Sequence, residues 1–337
     1  VIIPEAEGSI SNLVYKAYEQ AQEPPRPHMG VSQLGHPCDR FLWLNFRWVV
    51  VEQFKGRILK LFLRGHREED FVISDLRRIG VHVQATGSNQ SKVSFGSHVS
   101  GSADGIVSGL PNGYIKKALF ECKTHSDKSF NDLVKNGLEK SKPIHWVQCM
   151  VYAHGLKLER ILYYAVNKND DSVYTEWVHL DKDVATKYIE RGQRIALHDR
   201  MPPPLSTDAS WYQCKFCPAH GFCHKEELPK SFSCRTCAHS TAKEDDTWRC
   251  EKHEANDIPI EFQRKGCDSG TIHPDVVPWK YRTESDYVVW DTPWGEIAQG
   301  NADANVYAAS EVLANPEACA KGVAASFREK FDAKVVG

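Results

Sequence analysis

Asp104, in the run Gly101-Ser102-Ala103-Asp104-Gly105, is followed sixteen residues after Gly105 by Glu121-Cys122-Lys123. Alternate side chains of a strand share a face, so Glu121 and Lys123 point one way and Cys122 the other. Two carboxylates and an ammonium meeting at a sheet edge can hold a hard divalent cation through oxygen while the lysine orients an attacking water. Hydrolysis of a phosphodiester needs both services. The same short pattern arises often by chance, and taken alone an ion pair on a strand surface explains it as well. Three further features tilt the balance. Asp104 sits in a glycine-flanked turn context, an apolar strand leads into Glu121, and Gln148-x3-Tyr152 places two residues on one face of the following helix.

A second set of candidates is sulfur. The chain of 337 residues has eleven cysteines, seven of them between Cys214 and Cys267. Val1 to Ile10 lacks the basic-then-apolar layout of a leader, and no apolar run is long enough for a bilayer. The expectation is therefore a cytoplasmic protein with no membrane contact whose thiols bind metal. Cys214-x2-Cys217-x5-Cys223 supplies three thiols, and Cys38, in Gly35-His36-Pro37-Cys38-Asp39-Arg40, is the remote candidate for a fourth. Tetrahedral sulfur suits an iron–sulfur cluster or zinc, the latter with His220 or His224 as fourth ligand. Cys234-x2-Cys237 is followed after twelve residues by Cys250-x2-His253 and later by Cys267. Paired ligands around such a loop read as structural zinc. Spacing cannot choose between Cys267 and His253, although a fourth thiolate at Cys267 is preferred.

The elements that must position these groups follow from periodicity. Helical patterns cover 9–21, the stretch after Cys38, Leu59–Leu76, Phe130–Lys140, Ile144–His154 and Val184–Ala196. Strand patterns cover Val81–Gln84, Val93–Phe95, Ala103–Val107, Ile115–Cys122, Ile161–Val166 and Val173–His179. The fold class expected is α/β, a mixed sheet flanked by helices. Pro202, Pro203 and Pro204 mark the clearest break, and beyond the cysteine-rich segment only Ser310 to Ala320 suggests a helix. Composition is globular, with 41% hydrophobic and 26% charged residues. A formal charge of −2 gives no sign of a nucleic-acid partner, so any DNA contact rests on local patches: Arg57, Lys60, Arg64 and Arg67, or Lys116, Lys117, Lys123 and Lys128.

Asp, then Glu-x-Lys, then a helical Gln-x3-Tyr resembles the RecB-like branch of the PD-(D/E)XK nucleases, which includes AddB-type, CRISPR-associated and phage recombination exonucleases. The resemblance spans about residues 30–225. It implies a restriction-endonuclease-like core at 31–225; outside its reach stand a helical extension at 1–30, a zinc-binding module at 226–280 that is no standard part of that branch, and a tail at 281–337 of unassigned role. It also implies that His66, in Arg64-Gly65-His66-Arg67-Glu68-Glu69, joins Asp104, Glu121 and the carbonyl of Cys122 in binding Mg²⁺ or Mn²⁺, with Glu69 assisting through a water. Asp104, Glu121, Lys123, Gln148 and Tyr152 would be the catalytic set. The blander alternatives are a surface histidine at His66 and a core tyrosine at Tyr152. Cys38, Cys214, Cys217 and Cys223 would carry a four-iron four-sulfur cluster closing the ends of the core. The implied activity is a DNA exonuclease acting on duplex ends or single strands in phage or prophage recombination, with a single-strand annealing recombinase as partner. Two rivals stand beside it. One is a non-catalytic, metal-stapled DNA-binding or adaptor protein. The other is a redox or radical iron–sulfur enzyme, which lacks support from any Cys-x3-Cys-x2-Cys run or glycine-rich dinucleotide loop.

Overall fold

The computed structural model describes residues 8–110, 116–301, 305–322 and 333–336. The chain divides into two compact units. The first comprises Val1–His36, Glu52–Phe95 and Val99–Gly192, and the second comprises Pro37–Val51, Gly96–His98 and Gln193–Gly337. In chain order the elements are α1 (Ile10–Gln20), β1 (Met29–Gly30), α2 (Asp39–Phe46), α3 (Gly56–Arg78), β2 (His82–Gln84), β3 (Lys92–Ser94), β4 (Val99–Ser102) and β5 (Gly105–Ser108). There follow β6 (Ala118–His125), α4 (Asp127–Ser141), α5 (Pro143–Gly155), β7 (Arg160–Asn167), β8 (Val173–His179) and α6 (Lys182–Leu197).

The first unit has the expected architecture, mixed sheets flanked by helices. Its main sheet has the order β2-β5-β6-β7-β8, in which only β6 and β7 run parallel. A parallel neighbour needs a long return path, and α4 with α5 provides it. A smaller sheet has the order β1-β4-β3. The central strand β6 is buried at its first five positions, as befits a strand covered on both faces. On one face Val72, Ile73 and Leu76 of α3 pack against Val107, Phe120, Cys122 and Leu162. The register pairs Glu121 with Tyr163 and Lys123 with Ala165, so these side chains share the opposite face.

Two expectations shift. Ala103–Val107 is not one strand, because the chain passes from the small sheet to the main one between Ser102 and Gly105, and Asp104 sits in that crossing. Glu121 does not end its strand, since β6 continues to His125. Ile115, the expected start of that strand, lies outside the described residues.

In the second unit α2 buries Phe41, Leu42, Trp43, Leu44 and Phe46, and Trp43 Nε1 donates to His198 O at 2.7 Å. After α6 come α7 (Tyr212–Lys215), α8 (His220–Lys225), β9 (Ser240–Ala242), β10 (Trp248–Cys250) and α9 (Ile260–Lys265). The segment that gave no clear sequence signal folds as an antiparallel meander of β11 (Lys280–Thr283), β12 (Tyr287–Thr292) and β13 (Gly295–Gly300). The helix expected over Ser310–Ala320 is two short ones, α10 (Ala309–Ala314) and α11 (Pro316–Ala320), parted at Asn315 because the residue before a proline is pushed out of helical geometry. Among the described residues no helix is long and apolar enough to cross a membrane.

Candidate active site

The crossing that carries Asp104 brings its carboxylate to the side of β6. Asp104 Oδ2 accepts from the backbone N–H of Cys122 at 3.0 Å, and Lys123 Nζ lies 3.5 Å from the same oxygen. Lys123 Nζ also donates to Glu121 Oε1, so one ammonium bridges both carboxylates. Gln148 Nε2 donates to Glu121 Oε1 at 2.6 Å from α5. Glu121 is fully buried, and its other oxygen, Oε2, has no hydrogen-bond partner. Burial, with Asp104 beside it, pushes the Glu121 carboxyl up to about 8. Burial would lower Lys123, but Glu121 and Asp104 hold its ammonium well above the ordinary lysine value.

Glu69 of α3 belongs to the same group. Burial and the charge of Asp104 raise its carboxyl to about 7, with Lys123 also in reach and Gln90 bonded to its side chain. Its neighbour one turn back, His66, is exposed and is not brought into bonded contact with the carboxylates. Cys122 enters through its backbone, its thiol lying in the core on the other face. Tyr152 is 4% exposed and packs beneath Gly101, where an added Cβ would meet its hydroxyl at 2.7 Å. That close approach is the reason for glycine there. Gln148, expected in the catalytic set, is committed to Glu121.

One feature of this face escaped sequence reading. Tyr163 Oη is hydrogen-bonded to His125 Nε2 at 3.1 Å and to His145 Nδ1 at 3.0 Å, and His125 Nδ1 is bonded to Ser129 Oγ at 3.1 Å. Burial, then Lys142, Lys168 and Lys123, lowers His125 to about 4. Burial, then Lys123, lowers His145 to about 3. Both imidazoles are thus neutral at neutral pH. His125 was legible, two residues past Lys123 on the same strand face. Tyr163 and His145 needed the β6–β7 register and the placement of α5.

The two basic patches separate. Arg57, Lys60, Arg64 and Arg67 form an exposed stripe along α3, and Arg64 Nη2 donates to Lys168 O at 2.8 Å. Lys116 is instead paired with Glu159 at 2.8 Å.

In the second unit Cys38 accepts from Phe41 N at the start of α2. Cys38, Cys223 and Cys214 lie within electrostatic reach of Cys217, whose thiol burial pushes up to about 11. Cys237, Cys267 and Cys250 stand likewise around Cys234, pushed up by burial to about 12. Among the described residues no three His, Cys, Asp or Glu side chains are arranged, as placed, to hold a metal ion.

No family model matches the sequence, and no curated protein matches it. Among solved structures the protein SSO0001 is similar, at 16% identity and a TM-score of 0.41 over 64% of this chain and 97% of that one. The alkaline exonuclease LHK-Exo from Laribacter hongkongensis is similar at 13% identity and a TM-score of 0.35, over 53% of this chain and 90% of that one. The same exonuclease in complex with dAMP gives 13% and 0.37, over 55% and 90%. With TM-scores below 0.5, these likenesses carry no argument about this chain.

Proposed function

We propose that the first unit is a divalent-metal-dependent deoxyribonuclease. The observation that carries this reading is the bare, fully buried Oε2 of Glu121 beside Asp104 and Glu69. A buried carboxylate oxygen without a partner is costly, and three acidic side chains drawn together repel one another, unless a cation joins them. Oxygen donors of this kind suit Mg²⁺ or Mn²⁺. Asp104, Glu121 and Glu69 would hold the ion, with the Cys122 carbonyl and His66 as further candidates. The bound ion would polarise the scissile phosphate and stabilise the charge that develops on it. Gln148 fixes the Glu121 carboxylate in orientation, and Lys123 presents an ammonium where it can orient water. The neutral imidazoles of His125 and His145 add no competing charge beside it.

Exonuclease action on duplex ends or single strands, a place in phage recombination with an annealing recombinase, and an iron–sulfur cluster on Cys38, Cys214, Cys217 and Cys223 are finer parts of the same proposal. They rest on the sequence resemblance. The adaptor reading has one observation in its favour, since the Lys123 ammonium itself bridges the two carboxylates. The deciding experiment is digestion of end-labelled duplex DNA with Mg²⁺ or Mn²⁺. Lys123→Ala should lose cleavage by about a hundredfold or more while still binding DNA, the scale of removing one preorganised charge. Full cleavage by that variant sinks the assignment.

A further inference from the structure

The chemistry of the first unit makes no use of the sulfur-rich part of the second. There the turn Cys234–Thr236 closes with Cys237 N donating to Cys234 O at 3.1 Å. The β9–β10 hairpin returns Cys250 opposite Ser240, three residues after Cys237. Cys237 bridges to Ile272, and Ala238 N donates to Thr271 O at 2.8 Å, which draws in the loop that begins at Cys267. Three separate segments thus bring four thiols within electrostatic reach of one another, short of metal-binding geometry as they stand.

Burial holds the Cys234 and Cys237 thiols above the ordinary value, so a metal ion binding there would displace their protons, and smaller local effects oppose the burial. The backbone N–H groups of His239 and Thr271 are aimed at Cys237 Sγ, and amide dipoles so aimed stabilise a thiolate. Arg235, inside the Cys234-x2-Cys237 turn, is 1% exposed and stacks on Trp48 at 4.1 Å and Trp248 at 4.7 Å. Arg47, equally buried, donates to Arg235 O at 3.3 Å. The Arg47 guanidinium lies within electrostatic reach of Cys237 and adds positive charge near that sulfur. His253 takes a different station. Its Nε2 lies 3.6 Å from Cys267 Sγ and 3.1 Å from Ser269 Oγ, so it stands behind that sulfur.

We propose that Cys234, Cys237, Cys250 and Cys267 bind one structural zinc ion as four thiolates, with His253 a hydrogen-bond partner of the Cys267 sulfur and not a ligand. Four thiolates on Zn²⁺ leave a centre of charge −2, against −1 for three thiolates and a histidine, and the buried Arg47, within electrostatic reach of Cys237, suits the former. Closure requires the thiols now bonded to Phe262 O and Ser269 to rotate inward.

The test uses the full chain purified without added metal, followed by metal analysis and exchange with Co²⁺. Cys267→Ser should lose one zinc equivalent relative to the parent, and His253→Ala should keep it with the sulfur-to-cobalt absorption unchanged. Because Cys267→Ser can simply misfold, the parent's cobalt band is read as well, and it should have the intensity of four sulfur ligands. Loss of zinc from His253→Ala, a three-sulfur cobalt spectrum, or iron in place of zinc at this site overturns the proposal.

Discussion

Glu121 has one oxygen engaged by both Lys123 and Gln148 and another engaged by nothing. The asymmetry leads to an expectation about the residue that supports it. Glu121→Gln keeps the shape and removes the charge, so Mn²⁺ binding followed by electron paramagnetic resonance should weaken by tenfold or more, about 1.4 kcal/mol. Unaltered binding would place the ion elsewhere. Behind Lys123, Tyr163→Phe deletes the oxygen shared by two imidazoles, that of His125 buried and that of His145 half-buried. Leaving such groups unsatisfied costs roughly 1–3 kcal/mol, to be read as a lowered urea midpoint with an unchanged slope. The residue types of the centre were legible because alternation along a strand fixes which neighbours share a face. Gln90 and Tyr163 were not, since each reaches the site through a pairing between segments far apart in the chain, on which local spacing is silent.

At the scale of elements, α3 shows what periodicity can and cannot say. Its apolar positions foretold a helix with one buried face, and Val72, Ile73 and Leu76 fulfil that. The spacing of Arg57, Lys60, Arg64 and Arg67 foretold a cationic stripe. Residues two apart on a helix point in different directions, however, so Arg67 and Glu69 cannot serve one cleft. Replacing Arg57 and Arg67 together with Ala should therefore change kcat/KM by less than about 1 kcal/mol, the ordinary range for exposed charges. A larger fall would put substrate on this stripe. Helix α4 carries a kink that no spacing announced. Gly137 has φ 73° and ψ 171°, and beyond it Leu138 N donates to Glu176 Oε2 at 2.8 Å. Gly137→Ala should cost about 1–3 kcal/mol, since this region of backbone space belongs to glycine, and thermal melting would show it.

For the whole molecule, Trp146 and Trp177 lie in the first unit and the other tryptophans in the second, so intrinsic fluorescence reports mainly on the sulfur-rich part. A strong zinc chelator should lower the unfolding midpoint seen by fluorescence, whereas an indifferent midpoint would mean that metal contributes nothing to its stability. The division into units was the least legible level of all. Nothing in the composition of Pro37–Val51 says that this stretch belongs with residues from Gln193 onward, because its contacts are tertiary: Trp43 to His198, Arg47 to Arg235. That discontinuity bears on birth at the ribosome. About 140 residues separate Val51 from Gln193, and at roughly 5–20 residues per second their synthesis takes on the order of 7–30 s. Throughout that interval the nascent α2 segment holds out Phe41, Leu42, Trp43, Leu44 and Phe46, with only Gly96–His98 of the rest of its unit yet made, which is an invitation to a chaperone or to a neighbouring nascent chain.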